Sequence, residues 1–142
     1  MEALILIDFA LLFLISLLHF YWALGGNKAS GFVIPMKANG STVFKPGIFA
    51  TLLVAFVLLV FALLILANLA QLGQIIEPNY LKPLTSLIAI VFIIRALGDF
   101  KFVGFSKRIK NTAFARNDSL YYSPLSLLIG IISLLIAVLN SN

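Results

Sequence analysis

The chain has 142 residues, a formal net charge of +5, 62% hydrophobic and only 11% charged residues, and a mean hydropathy of +1.12. A soluble domain of this length needs a polar surface that such a composition lacks, whereas a bilayer supplies apolar solvent for the whole outer face. The absence of cysteine excludes disulfides, thiol redox chemistry and cysteine-ligated metals, and a single histidine excludes a histidine-rich metal site. No cofactor is expected, one membrane domain is the natural count, and the positive charge reads as loop placement, not as a nucleic-acid surface.

The first span is predicted over residues 3–24, enough to cross a hydrocarbon layer of roughly 30 Å as a helix. A cleaved signal peptide is the competing reading. Against it stand Glu2 in place of lysines, Asp8 in the apolar core and no small-residue cleavage site. Asp8 and His19 are spaced for one helix face, with Leu12, Ile15 and Trp22 near the same stripe. Tyr21 and Trp22 suit an interfacial aromatic belt, and Gly25-Gly26 stops the helix.

In the first loop, two apolar segments flank Ala38-Asn39-Gly40, and Asn-Gly between such segments is a hairpin signal. The second span is predicted over 48–74, with Asn68, Gln71 and Gln74 placed to bond neighbouring helices. A short connection over 75–83 carries Pro78 and Pro83. The third span then covers 84–105, with Arg95 and Asp99 in its inner half. A basic, Asn-rich loop over 106–122 leads to a fourth span over 124–140, with Pro124 suited to its first turn. All five prolines are thus expected at loops or span edges. The fold class that results is all-α, an integral membrane four-helix bundle with a small hairpin-like loop between its first two helices.

Eight of the ten basic residues fall in loop one and in the third connection counted from Lys101 at the end of the third span, and these share a side. The positive-inside rule places that side in the cytoplasm and both termini outside, as suits a multi-pass protein of a bacterial inner membrane. His19, Trp22, Arg95, Asp99, Arg116, Asp118, Tyr121 and Tyr122 then come to one depth in the cytoplasmic half. They are the candidate residues of a ligand pocket.

An ionised side chain inside a bilayer turns toward the bundle and pairs. Arg95 and Asp99 can do so as a self-neutralising i,i+4 ion pair. Alternatively Arg95 holds an anionic or carbonyl group while Asp99 or His19 moves a proton. Asp118 also suits a cap on the fourth helix, and the basic loop suits anionic lipid.

Three blocks in these regions, His19 to Gly26, Arg95 to Phe105 and Phe114 to Leu125, resemble those of a bacterial family of short membrane proteins known as domain of unknown function 3995. The resemblance runs over nearly the whole chain. It implies a bacterial four-span membrane protein and names neither a substrate nor a catalytic residue.

Three functions therefore stand open. The chain binds or moves a small amphipathic or lipid-like ligand through a cytoplasm-facing polar pocket, or is a cofactor-free isomerase or hydrolase with His19 and Asp99 as acid and base. The third reading is a structural or accessory subunit whose polar residues only join helices. Expected partners are membrane lipids, an amphipathic ligand or a second copy of the chain, and not nucleic acid. A cavity lined by Arg95, Asp99 and His19 favours the first two readings, and a self-satisfied ion pair favours the third.

Overall fold

A computed structural model describes residues 1–26, 33–35, 37, 39–43, 46–69 and 76–140. Within them run α1 (Glu2–Ala23), α2 (Ile48–Leu66), α3 (Pro78–Leu97), α4 (Ala113–Asn117) and α5 (Ser123–Leu139). A π-helical turn, Asp118–Tyr122, joins α4 to α5, so that Ala113–Leu139 is one helical run. α1, α2, α3 and this run are each long and apolar enough to cross a membrane. The molecule is an all-helical integral membrane bundle.

The helices form two close pairs, α1 with α2 and α3 with α5, joined mainly where α1 meets α5. Ile5, Leu12, Ser16 and Ala23 recur on the inner stripe of α1 at steps that keep one helix face inward. Ala55, Leu58, Ala62 and Ile65 do the same on α2, and Ile129, Ile132 and Ile136 on α5. The outer faces carry Phe49, Leu53, Leu63, Ile94 and Val138, all exposed and all suited to lipid.

Lipid tails are as apolar as these side chains, so close packing and polar bonds must join the helices. Ser16 donates to the Ala55 carbonyl (2.8 Å) between α1 and α2, and Ser133 donates to Asp8 (2.6 Å) between α5 and α1. Asn68, just past α2, donates to Thr85 of α3 (3.0 Å), and Asn140 donates to the Asn68 carbonyl (2.9 Å). Gln71 and Gln74 lie outside the described residues. Gly130 lets α3 and α5 touch: a Cβ there would lie 2.8 Å from Ile93 Cγ1 and 3.1 Å from the Ala89 carbonyl oxygen.

Several boundaries differ from those expected. α2 stops at Leu66, well before the end of the anticipated span. α3 begins at Pro78, which fits a first helical position because its missing N–H has no partner there anyway. Pro83 consequently lies inside α3, not at an edge. The carbonyl it leaves unpaired belongs to Asn79, an exposed residue of the first turn, where solvent replaces the lost bond. At its other end α3 stops at Leu97, because Gly98 takes a φ of 91° and a Cβ there would overlap the Val103 carbonyl. The stretch expected as loop up to residue 122 is helical from Ala113, started by Thr112, whose hydroxyl accepts the Ala115 N–H (3.0 Å).

The described part of the first loop has the expected hairpin-like form. Lys37 N–H donates to the Ser41 carbonyl and Val43 N–H to the Pro35 carbonyl, each at 2.8 Å. Gly40 takes a φ of 80°, and Asn39 Oδ1 accepts the Ser41 N–H (3.1 Å) and hydroxyl (2.7 Å).

The contact at Gly130 gives a direct test of the packing. Gly130→Ala should destabilise the bundle by about 1–3 kcal/mol, the usual cost of overpacking, although alanine is the better helix former. Thermal unfolding in detergent reads this, and an unchanged melting temperature would mean that Gly130 does not set the α3–α5 spacing.

Candidate functional site

The polar end of the molecule is assembled around Asp118, in the first position of the π-helical turn and fully buried. Four donors converge on its carboxylate. Arg95 Nη2 reaches Oδ1 at 2.9 Å. Gly104 N–H (2.7 Å), Lys107 Nζ (3.0 Å) and Ser123 Oγ (3.1 Å) reach Oδ2. Lys107 is itself almost fully buried and gives its other protons to the Gly104 carbonyl (2.9 Å) and Ser119 Oγ (2.7 Å). A carboxylate and an ammonium removed from water are tolerable only when both are paired and their remaining sites bonded, and here both are.

Local chemistry explains why these groups meet. Beyond Gly98 the chain doubles back on the end of α3. Phe105 N–H donates to the Ala96 carbonyl (2.9 Å) and Ser106 N–H to the Leu97 carbonyl (3.2 Å), so helix-terminal carbonyls that would be orphaned are taken by the loop. Gly98 and Gly104 face each other at this crossing, both at positive φ, and a Cβ on Gly104 would overlap the Gly98 backbone. The same crossing aims the Gly104 N–H at Asp118.

Pro124 accounts for the widened turn. Proline inside a helix lacks its N–H and clashes with the carbonyl four residues back. Opening the turn so that Ser123 N–H bonds the Asp118 carbonyl five residues back relieves that conflict. Asp118 is therefore not a cap on the fourth helix. It lies within a continuous helical run and points its side chain at α3 and the loop.

Of the candidate residues, the structure brings Arg95 to Asp118. Asp99 is not on α3 and does not pair with Arg95. It stands in the turn after Gly98, exposed, with Oδ1 accepting the N–H groups of Lys101 (2.9 Å), Phe102 (2.7 Å) and Val103 (2.9 Å). His19 Nδ1 donates to the Ile15 carbonyl (2.8 Å), and its ring meets Trp22 edge-on at 5.2 Å. Tyr122 lies against Phe114 and bonds the Asn117 side chain. Arg116 and Tyr121, with Ala113, Asn117 and Leu120, line an open depression of about 340 Å³ on the outer side of this helix. Lys107, Gly104 and Ser123 complete the Asp118 cluster and were not among the candidates. A lysine in a basic run looks like a solvated one, and only the crossing of Gly98 with Gly104 turns it inward.

With this geometry in view, the comparison with known proteins is informative about kinship alone. Residues 12–133 match the model of a family described as a protein of unknown function (DUF3995). The chain belongs to that family. No curated protein and no solved structure matches it. The family's match takes in α2, α3, the loop and the whole Asp118 cluster.

The turn at Asp99 carries a pH dependence whose sign follows from its bonds. Partial burial works upward on the carboxyl. The N–H groups of Val103, Lys101 and Phe102 outweigh it and hold the pKa below its ordinary 3.8. A lowered folded-state value adds stability that is fully present above the unfolded value and lost as pH falls through the folded one. Hydrogen exchange of amides 101–103, corrected for intrinsic rates, should show constant protection from neutral pH down to about 4 and a loss below it. Asp99→Ala should show weak protection throughout. Equal protection in the two proteins would remove Asp99 from this role.

Proposed function

We propose that the chain is a non-catalytic, multi-pass protein of a bacterial inner membrane, a structural or accessory component that holds a folded basic loop at the cytoplasmic face. The observation that carries this reading is the burial of Asp118 among four donors. A fully buried carboxylate that already accepts from four donors presents no surface to a substrate, and its lysine partner is equally committed. The acid–base reading has less support. Asp99 spends an oxygen on three backbone amides of its own turn, and His19 donates within its own helix.

A second reading, binding of a small amphipathic or lipid-like ligand, draws on Arg95. Its side chain is 35% exposed, and its Nη1, itself buried, has no hydrogen-bond partner among the described residues. A carboxylate or phosphate is the kind of group that pairs with a guanidinium nitrogen left without an acceptor.

Substitutions separate the two. Asp118→Asn leaves Lys107 and Arg95 without their counter-charge and should cost about 3–5 kcal/mol. Adding Arg95→Gln and Lys107→Met should recover much of that loss if the cluster is structural. A single variant Arg95→Gln that melts like the parent but loses a stoichiometric non-lipid ligand, seen by native mass spectrometry in the parent, would replace this reading with the second.

The orientation rests on the eight basic residues of loop one and of the stretch from Lys101 to Arg116. Because the chain has no cysteine, Ser41→Cys and Asn79→Cys can be labelled singly with an impermeant maleimide. In intact spheroplasts Asn79→Cys should label and Ser41→Cys should not, and the reverse pattern would invert the topology.

A further inference from the structure

The loop between α3 and α4 is compact, yet it turns large apolar side chains outward. Phe100 is 67% exposed and Phe105 47% exposed. Phe100 also holds a φ of 62°, a conformation that non-glycine residues adopt at a cost. Bonds on either side fix this display: Asp99 gathers the amides of residues 101–103, and Ile109 N–H donates to the Lys101 carbonyl at 3.1 Å. Lys101, Arg108 and Lys110 in the same loop, and Arg116 on the helix that follows it, are exposed. Of the two acidic residues between 98 and 122, Asp118 is buried in the cluster and Asp99 is exposed, so four exposed cations stand against one carboxylate and the outward surface is net cationic.

Where this surface lies follows from the fold. Phe105 and Ser106 are bonded back to the carbonyls of Ala96 and Leu97, so the loop cannot extend away from the end of α3. Phe105 is thereby held beside the end of α3, whose apolar stretch closes at Leu97, and Phe100 lies three residues beyond that end in a stretch rich in lysine and arginine. Aromatic rings settle where helices leave hydrocarbon, and basic side chains there meet lipid phosphates.

We propose that this loop surface is a docking site for anionic phospholipid headgroups, with Phe100 and Phe105 seated among the upper acyl carbons and Lys101, Arg108, Lys110 and Arg116 on the phosphates. The proposal rests on the reading that the Asp118 cluster is structural and keeps the loop folded. Lys101 fits the role further, since its Nζ lies 5.2 Å from the Phe102 ring, which holds the cation beside an aromatic face. An acidic protein partner would use the same charges but gives no reason for the loop to be tied down at bilayer level.

The test uses the full chain with Phe100→Cys carrying a nitroxide, in nanodiscs of phosphatidylcholine with or without phosphatidylglycerol. With phosphatidylglycerol the label should be accessible to oxygen and shielded from a nickel chelate, as for a site below the phosphates. Adding Lys101→Gln, Arg108→Gln, Lys110→Gln and Arg116→Gln should return it to nickel. In native mass spectrometry the same four changes should weaken phosphatidylglycerol binding by roughly fivefold per residue and leave phosphatidylcholine binding unchanged. A label open to nickel in phosphatidylglycerol discs, or equal binding of the two lipids by the parent, would overturn the proposal. These side chains are exposed, so unchanged melting is the control for folding. Failure of the Asp118 rescue with the label still inserted would count against the structural reading of the cluster alone.

Discussion

Burying Asp118 where the chain re-enters the bundle obliges the protein to bring donors to it from three separate segments. Arg95 comes from the last turn of α3, Gly104 and Lys107 from the loop, and Ser123 from the start of α5. None of these groups has a comparable reason to be where it is without the carboxylate. Lys107 in particular is buried, and a buried ammonium without a counter-charge is among the costlier things a fold can contain. The loop's outward surface, the turn-back on α3 and the register of the final helix all depend on this one group.

The opposite end of the molecule meets the same need without ions. Asn68, Thr85 and Asn140 join the ends of α2, α3 and α5 through amide and hydroxyl bonds. Between the two ends, Asp8 is bonded to Ser133, and its other oxygen finds no partner among the described residues. Neither α2 nor α5, the helices packed on α1, contains a charged residue. Among the described residues the ion pairs are thus confined to the end that also carries the basic loop, and hydrogen bonds without an ion pair join the helices elsewhere. This division suits a medium in which neutral hydrogen bonds join helices cheaply and isolated charges are costly.

Much of the architecture was legible in the chain because hydrocarbon imposes a simple rule on sequence. Four long apolar stretches and a turn at Asn39-Gly40 could both be read from residue type and spacing. What could not be read were places where a local rule gave way to tertiary geometry. Pro83 read as an end of connection, yet a proline near the start of a helix loses little when solvent can serve the freed carbonyl. Arg95 and Asp99 have ideal spacing for an ion pair, but Gly98 between them ends the helix, and spacing along a helix means nothing beyond its end. Lys107 and Lys110 are indistinguishable as members of a basic run. Only the Gly98–Gly104 crossing, a contact between backbones, decides that the first is buried.

The widened turn at Asp118–Tyr122 also sets the phase of everything that follows it. A π-helical turn holds one residue more than the α-helical path it replaces, so the side chains before and after it are offset by about 100° from a regular helix. Gly130, Ser133 and Ile136 meet their neighbours only at that offset, while Asp118 meets Arg95 only from the other side of it. The extra residue works as a spacer in angle, not in length. A lineage that lost it would keep the hydropathy, the span length and every functional group. It could then align either the anchor of its loop or the seam of its bundle, but not both.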